Sequence, residues 1–370
     1  MKQLEKSSKR GFLTPEHFAE QQRRRMHSMR GPLVVASCRS ANDLAQRIVS
    51  KYNRLLREAG SGETVTFLPD IDSQFSDSET RVRLKSHIGG GDVYLLQSLY
   101  NPRQTGGVDH NYMAFLIAAR TFREHGARHV TAILPYLAYA RQDKPTRFSR
   151  EPTTAKLMSD LSIAAGIDRI ISWHPHSGQI RGFYSGRPAN MLDPTTLFSE
   201  EFSRLHKRDD VVVVAPDAGA SKFVTHLARV MGVRSAIAAK YRPEAEEVVT
   251  SEVIGSFEGK QIALIIDDII SSGGTLFAVA RRLVEQKGIE ELYIGASHNL
   301  CTESAKEKLL HMHREYGLKQ AVFTNSIPQT RSYEDLPFVK VCCLSDTISR
   351  TINRIHYNKS VSEVFSQEWS

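Results

Sequence analysis

The sequence contains few cysteines and lacks any long apolar run. Its four cysteines show no C-x-x-C spacing, and two of them, Cys342 and Cys343, are neighbours in an apolar segment. We therefore expect neither a disulfide framework nor a zinc site, and this cysteine usage is typical of a reducing, cytoplasmic protein. No apolar run approaches the length that spans a bilayer, and none near Met1 is typical of a secretory signal. These features predict a soluble protein without a membrane anchor.

The composition permits large cores and carries an excess of positive charge. The chain has 370 residues, of which 41% are apolar, so we expect two domains. Its 49 Lys and Arg against 41 Asp and Glu give a formal net charge of +8. Such a charge suits either nucleic acid or substrates with several phosphates. Binding to nucleic acid or to another subunit stays open only for the basic extension, residues 1–31, and nucleic-acid binding is not expected.

From Pro32 onward, strand-like and helix-like segments alternate with short connections. This alternation predicts an α/β fold in which mainly parallel sheets are flanked by helices. The natural division gives one domain over residues 32–190 and another over residues 191–346. A last helix, residues 347–365, lies beyond the second domain and is a candidate to pack on the first.

The most informative stretch is IALIIDDIISSGGTL, at residues 262–276. Its apolar run, residues 262–266, predicts a buried parallel strand, and helical spacing resumes after Thr275. Between these elements lie two carboxylates, two hydroxyls and two glycines, namely Asp267, Asp268, Ser271, Ser272, Gly273, Gly274 and Thr275. Unpaired N–H groups at the start of a helix bind phosphate, and glycines let the backbone approach it. The carboxylates suit sugar hydroxyls or a cation, so the stretch predicts a site for a phosphorylated sugar.

Four further clusters follow predicted strands, where α/β sheets place ligands. They are Phe75, Asp77 and Glu79 in FSDSE; Arg141, Gln142 and Asp143 in YLAYARQDK; His174 and His176 in HPH, with Asp217 in PDAGA; and Lys240 and Arg242 in AKYRP. The arginine-rich loop favours a polyphosphate, although a solvated charged loop is its simpler interpretation. The His-x-His pair indicates a metal or phosphate site, or two structural histidines, with neither favoured.

Together these motifs resemble the ribose-phosphate pyrophosphokinase, or phosphoribosyl pyrophosphate (PRPP) synthetase, family. The resemblance extends from about Leu33 to Phe365 and includes the five motifs in the same order. It implies two phosphoribosyltransferase-like domains, each a mainly parallel sheet flanked by helices, with ATP bound by the first and ribose 5-phosphate by the second. The implied reaction transfers pyrophosphate from Mg-ATP to the anomeric hydroxyl of ribose 5-phosphate and releases AMP.

The resemblance also implies a role for each motif. Lys240 and Arg242 would be catalytic, and His176 and Asp217 would serve the metal, Mg²⁺. ATP would be held by Phe75, Asp77, Glu79, Arg141, Gln142 and Asp143. Ribose 5-phosphate would be held by Asp267, Asp268, Ser271, Ser272, Gly273, Gly274 and Thr275. Because the family's adenine-contacting segment comes from a neighbouring subunit, the resemblance implies a dimer-based homo-oligomer, with a hexamer as one open size.

The sequence departs from the family pattern at some of these motifs. His174 stands where the family has Asp, Gly178 where an acidic residue is common, and Ser271 where the sugar-phosphate loop has Asp. Imidazole and glycine suit Mg²⁺ less well than carboxylates do. A non-catalytic regulatory subunit therefore remains an alternative function, and a phosphoribosyltransferase is a less favoured one, because that class does not need the ATP loop.

Overall fold

The structure, a computed structural model, describes residues 26–146, 148–241 and 250–364. Most of the predicted basic extension, residues 1–25, therefore lies outside the described residues, and so does Arg242. Within them, no helix is both long and apolar enough to cross a membrane.

The first half of the chain builds a seven-stranded sheet and a separate small hairpin. The sheet has the order β1-β2-β6-β7-β8-β9, with β3 also paired to β2, and β4 pairs with β5 in the hairpin. All pairings in the sheet are parallel except β1 with β2. The strands are β1 (His27–Ser28), β2 (Gly31–Ser37), β3 (Thr66–Leu68), β4 (Asp72–Gln74), β5 (Thr80–Val82), β6 (Asp92–Leu96), β7 (His129–Ile133), β8 (Arg169–Trp173) and β9 (Ala189–Leu192).

The second half builds another seven-stranded sheet, in the order β12-β11-β10-β13-β14-β15-β16. Only β11 and β12 pair antiparallel. Its strands are β10 (Val211–Ala215), β11 (Arg234–Tyr241), β12 (Thr250–Ile254), β13 (Ile262–Ile270), β14 (Glu291–Asn299), β15 (Leu318–Thr324) and β16 (Val339–Cys342). The two mainly parallel sheets confirm the predicted α/β class. The predicted division after residue 190 falls inside β9, and the division into domains stays a prediction.

Helices cover both faces of each sheet. They are α1 (Asn42–Glu58), α2 (Gly107–Glu124), α3 (Thr154–Ala165), α4 (Ile180–Phe183), α5 (Thr195–Glu201), α6 (Ser221–Met231), α7 (Gly274–Lys287), α8 (Glu303–Glu315), α9 (Arg331–Glu334) and α10 (Ser345–His356), with 3-10 turns at Arg39–Ala41, Ser203–Leu205 and Ser362–Val364. Alternate residues of β6 and β13 enter opposite cores, as the two-residue period of a strand requires. Strands buried on both faces explain the continuous apolar runs in the sequence.

The last helix, α10, packs on the first sheet although it follows the second sheet in the chain. Its Ile348 and Ile352 share a core with Ile48 of α1. The Ser349 hydroxyl donates to the carbonyl of Ile48 at 3.0 Å, and the Asn353 amide donates to the Tyr52 hydroxyl at 2.9 Å. Both ends of the described chain therefore contribute to the first sheet and its covering layer.

A buried carboxylate ties these chain ends together. Asp92, at the start of β6, is fully buried. Arg30 lies on it with Nε 3.1 Å from both carboxylate oxygens, His356 Nδ1 lies 2.9 Å from Oδ2, and the Tyr94 hydroxyl donates to Oδ2 at 3.1 Å. Without such partners, a carboxylate in this position would be costly to bury.

Replacing Asp92 tests this cluster. We expect Asp92→Asn to lower the free energy of unfolding by about 3 kcal/mol or more, because it leaves the Arg30 guanidinium buried without its counter-charge. Urea denaturation measures the change. The matched control is Glu58→Gln, which removes an exposed ion pair with Arg54 on α1 and should change stability by less than about 0.5 kcal/mol. Equal effects of the two substitutions would contradict the role given to Asp92.

Candidate functional site

The predicted sugar-phosphate stretch folds as strand, loop and helix, but its strand is longer than predicted. β13 continues to Ile270 instead of ending at residue 266, so Asp267 and Asp268 are strand residues and not loop residues. Asp267 pairs in register with Ala296 of β14. The difference arises because the backbone of β13 stays paired with β14 beyond the apolar run, through the polar residues at the carboxyl end of the strand. The two carboxylates are consequently held by rigid backbone.

The loop after β13 forms a cup of backbone groups, which we call the 271–275 loop. It leads directly into α7, and its residues are partly or fully exposed. Gly273 has a φ of +70°, which strains any residue with a side chain. The first N–H groups of a helix have no intrahelical partner, so the start of α7 offers donors to an anion. The geometry agrees with a phosphate site, and the assignment of these residues stays a prediction.

Asp268 makes a direct contact across the two sheets. Its Oδ2 lies 2.7 Å from Nδ1 of His176, which follows β8 in the first sheet. Burial would raise the pKa of Asp268, but the hydrogen bond and charge of His176 outweigh burial and hold it well below its usual range. The same hydrogen bond raises the pKa of His176. The contact therefore favours a charged pair at the junction of the sheets.

Asp267 behaves differently from its neighbour. Its Oδ1 accepts a hydrogen bond from the Asp268 N–H at 2.9 Å. Burial, and then the adjacent Asp268 charge, raise the pKa of Asp267 well above its usual range. A protonated carboxyl group can donate as well as accept, whereas the ionised Asp268 only accepts. The pair thus favours the presence of both a hydrogen-bond donor and an acceptor at this point of the strand.

A cleft of about 1100 Å³ lies between the two sheets and connects several predicted residues. Arg141 and Asp143 reach it from the loop after β7, His176 from the segment after β8, Asp217 from the turn after β10, and Asp268 from β13. β7 and β8 are parallel neighbours in the first sheet, and β10 and β13 are parallel neighbours in the second. The carboxyl ends of the two pairs face each other across the junction and therefore open on the same cleft. The cleft has the size expected for a small-molecule ligand.

Sequence reasoning missed some residues of this cleft. Lys222 and Phe223, at the start of α6, line it together with the backbone of Gly219 and Ala220. A signal was present, because Lys222 follows shortly after the PDAGA turn at the start of a predicted helix. In the sequence alone Lys222 resembles any exposed lysine of a helix, and only the fold shows that the PDAGA turn lies at the cleft.

Other predicted residues do not line the cleft of this single chain. Gln142 lines an adjoining cavity, and its backbone is fixed by Tyr139 and Ala155. The segment with Phe75, Asp77 and Glu79 forms the exposed turn of the β4–β5 hairpin, where Phe75 is 51% exposed. The hairpin turn is held locally, with the Glu79 N–H donating to Asp77 at 3.0 Å.

The predicted catalytic pair is only partly described. Lys240 lies in β11 and pairs with Ser251 of β12, so an extended backbone is present at this position as expected. Arg242 lies outside the described residues. The roles of both residues stay predictions.

The two histidines of the HPH motif have unlike environments. His174 is part-buried in the cleft wall, with Nδ1 2.6 Å from the Ser297 hydroxyl and its ring 4.7 Å from the Phe223 ring. His298 of β14 places Nε2 3.0 Å from the carbonyl of His174 and Nδ1 2.8 Å from the Ser326 hydroxyl. Burial lowers the pKa of each to about 4. His174 is thus held neutral by its contacts with the second sheet, whereas the more exposed His176 pairs with Asp268.

The acidic residues at the cleft fit a cation whose other ligands are phosphate oxygens and water. Within residues 26–146, 148–241 and 250–364, no three His, Cys, Asp or Glu side chains are grouped as metal ligands. Asp217 Oδ1 accepts hydrogen bonds from the backbone N–H groups of Gly219 and Ala220, at 2.8 and 3.2 Å. This arrangement orients the carboxylate and leaves its second oxygen for a ligand. Mg²⁺ commonly binds one or two carboxylates plus phosphates and water, so the residues present fit such an ion.

Comparisons with known proteins agree on one family. Residues 33–166 match the model of the N-terminal domain of ribose phosphate pyrophosphokinase, and residues 212–366 match the phosphoribosyl synthetase-associated domain. The chain is 33% identical to ribose-phosphate pyrophosphokinase A of Dictyostelium discoideum over 88% of this chain and 95% of that protein. It is also 33% identical to the ribose-phosphate pyrophosphokinase of Aquifex aeolicus, over 86% and 98%.

A solved structure shows the same architecture. The crystal structure of phosphoribosylpyrophosphate synthetase from Mycobacterium smegmatis superposes with a TM-score of 0.74 at 29% sequence identity, covering 88% of this chain and 99% of that one. The similarity therefore extends across both sheets.

The pKa of His298 predicts how acid affects the junction of the sheets. The folded pKa of about 4 lies below the ordinary value of 6.5, so the unfolded chain binds the proton more readily. The stability that neutral His298 contributes is present above pH 6.5 and is lost as the pH falls toward 4, by up to about 3 kcal/mol. We expect His298→Asn to be less stable at neutral pH but to lose less stability between pH 7 and pH 5 than the parent. Urea denaturation at both pH values measures this.

The control for that experiment is His226→Asn, on an exposed position of α6. This variant should lose as much stability on acidification as the parent chain. If His298→Asn also kept the parental pH dependence, the neutral, buried state of His298 would be refuted.

Proposed function

Because the chain belongs to the ribose-phosphate pyrophosphokinase family, we propose that it transfers pyrophosphate from ATP to the anomeric hydroxyl of ribose 5-phosphate, giving phosphoribosyl pyrophosphate and AMP. The family matches extend over both sheets, and the curated relatives are covered over nearly their full length. The observation that carries the proposal is the position of Asp268. It lines the cleft and lies three residues before the 271–275 loop, so a nucleotide and a sugar phosphate would meet beside it.

The sugar would be held from two directions. The 271–275 loop would bind the 5-phosphate through the N–H groups and hydroxyls of Ser271, Ser272, Gly273, Gly274 and Thr275. Asp267 and Asp268 would bind ribose hydroxyls, with the raised pKa of Asp267 favouring its protonated, donating form. Two fixed points of attachment orient the anomeric hydroxyl toward the cleft, and this orientation supplies much of the acceleration of a phosphoryl transfer.

ATP would occupy the cleft between the sheets. Arg141, with Gln142 and Asp143 in the same loop, would contact the nucleotide, and forked guanidinium donors match phosphate oxygens. Asp217 would hold Mg²⁺ through its second oxygen, and His176 would join it as the neutral imidazole after giving up its proton, since a protonated ring has no free lone pair. The ion would neutralise charge on the polyphosphate. The Phe75, Asp77 and Glu79 segment would serve the adenine of a second copy of the chain, because in this chain it does not line the cleft.

In the proposed reaction the anomeric oxygen forms a bond to the β-phosphorus. The bond from the β-phosphorus to the α–β bridging oxygen breaks, AMP leaves with that oxygen, and the hydroxyl proton passes to solvent or to a nearby base. Negative charge moves toward the bridging oxygen and the equatorial oxygens. Lys240 and Arg242 would stabilise that charge, since cationic donors aimed at developing charge act most strongly in the transition state.

Lys240 provides the direct test. Purified protein supplied with ATP, ribose 5-phosphate and Mg²⁺ should release AMP, and Lys240→Ala should lower kcat by about 100-fold or more while nearly retaining ATP binding. A coupled AMP assay and calorimetric ATP binding provide the two measurements. The control is Lys319→Ala, at the amino end of β15 and so opposite the carboxyl ends that form the cleft, which should keep the parental kcat.

Two results would overturn parts of the proposal. An unchanged kcat in Lys240→Ala would remove Lys240 from the catalytic role. No AMP release by the parent chain alone, combined with restored or increased activity when it binds an active synthetase, would instead identify a regulatory subunit, which the changes at His174 and Ser271 also motivate.

A further inference from the structure

The backbone of the 271–275 loop is fastened from behind by α8. The Thr302 hydroxyl donates to the carbonyl of Ser271 at 2.7 Å. The Lys308 ammonium donates to the carbonyl of Ser272 at 2.8 Å, and the Ser304 hydroxyl approaches the same oxygen at 3.4 Å. Two consecutive loop carbonyls therefore point toward the beginning of α8.

These contacts determine where the neighbouring N–H groups point. In a trans peptide the C=O and the following N–H lie in one plane and point in opposite directions. Turning the Ser271 carbonyl toward α8 turns the Ser272 N–H away from it, and turning the Ser272 carbonyl does the same for the Gly273 N–H. Both N–H groups are thereby presented on the open side, away from α8. Carbonyl oxygens, which repel an anion, are removed from that side.

α8 also lies too close to the loop for the loop to shift toward it. A Cβ added to Gly273 would lie 3.3 Å from the Ala305 Cα. Thr302 is itself held, because its hydroxyl accepts from the Ala305 N–H at 3.3 Å as the helix N-cap and its carbonyl accepts from the Tyr333 hydroxyl at 2.7 Å. The segment that contacts the loop is therefore itself held in place.

We propose that Lys308 is a positioning residue for the sugar phosphate. It fixes the Ser272 carbonyl, and so directs the Gly273 N–H into the phosphate cup, without itself taking part in phosphoryl transfer. The inference rests on the proposed function for the identity of the ligand. Lys308 also reaches Ser304, with Nζ 2.6 Å from its hydroxyl and 3.3 Å from its carbonyl, so the ammonium is held in place by its own helix.

A charge-assisted hydrogen bond of this kind is stronger than a neutral one, and it acts on a loop that is otherwise partly exposed. Removing it would let the Ser272 peptide rotate and would lose one oriented donor to the phosphate. Such a donor binds the phosphate equally in the ground state and the transition state, because the 5-phosphate does not react. The loss should therefore appear in KM and not in kcat.

The experiment compares Lys308→Met with the parent chain. Calorimetry with ribose 5-phosphate alone should show about tenfold weaker binding. Steady-state assays should show a KM for ribose 5-phosphate raised by a similar factor, while kcat, KM for ATP and the thermal midpoint stay close to the parental values. Lys308→Arg keeps a charged donor and should restore most of the affinity.

The matched control is Lys306→Met, which removes a lysine two positions away on the same helix, paired with Glu303 at 2.5 Å and not with the loop. It should leave ribose 5-phosphate binding unchanged. As an independent arm, Thr302→Val removes the hydrogen bond to Ser271 and should weaken binding, whereas Thr302→Ser retains it.

The outcomes separate this inference from the proposed function. If ribose 5-phosphate binds the parent and Lys308→Met equally, the positioning role is refuted whatever the activity. If binding weakens selectively in Lys308→Met but the parent releases no AMP, the positioning role stands and the proposed reaction fails. If the parent does not bind ribose 5-phosphate, the cup is not a sugar-phosphate site and the inference is overturned.

Discussion

The arrangement of this protein depends on how two parallel sheets are joined at their carboxyl ends. Polar residues make the joint: His298 of the second sheet hydrogen-bonds the backbone carbonyl of His174 after the first, and His176 pairs with Asp268. One contact is buried and neutral, the other half-exposed and charged. The buried contact fixes the distance between the sheets, and the charged one lies where a ligand can reach it. The cleft follows from this joint because it occupies the space that the two sets of strand ends leave open.

The sheets place unlike electrostatic groups next to each other in that space. Arg141 and Lys222 provide positive charge on the cleft wall, whereas Asp217, Asp268 and Asp143 provide negative charge. A polyphosphate accompanied by a cation matches such a mixed surface better than a bare anion does. The phosphate cup beyond Asp268 has a different character, since oriented peptide groups dominate there. Under the proposed function, nucleotide and sugar phosphate would be distinguished by the kind of donor that each part of the site offers.

Much of the fold could be predicted from the sequence because its strands are buried on both faces. The continuous apolar runs around Val213 and Leu264 and the helical spacing between such runs predicted the α/β class, and the family was identified from the order of the motifs; both predictions are confirmed. The end of β13 was predicted wrongly, because polarity at Asp267 resembles a strand end when the pairing with β14 is unknown. The β4–β5 hairpin was missed, since its strands are short and polar.

The candidate site was predictable only in part, because local sequence patterns do not show which distant segments lie close together. Sequence placed Arg141, His176, Asp217 and Asp268 after strands, yet the opposite environments of His174 and His176 depend on partners in the second sheet. Lys308 gave no local signal, and the signal at Lys222 was its nearness to the PDAGA turn, since the importance of both lysines comes from the loops that they face. Their selection required the packing of α6 and α8 against those loops.

The packing of α10 has a consequence for the order of folding. The helix follows the second sheet in the chain but completes the core over α1, and His356 joins Arg30 on Asp92. During synthesis, therefore, the first sheet would emerge with this face only partly covered and with Asp92 short of a partner until α10 had been made. Such long-range closure slows folding and makes the intermediate prone to aggregation. The two halves of the chain should consequently fold together, and a product truncated before α10 should be less stable and more prone to aggregation.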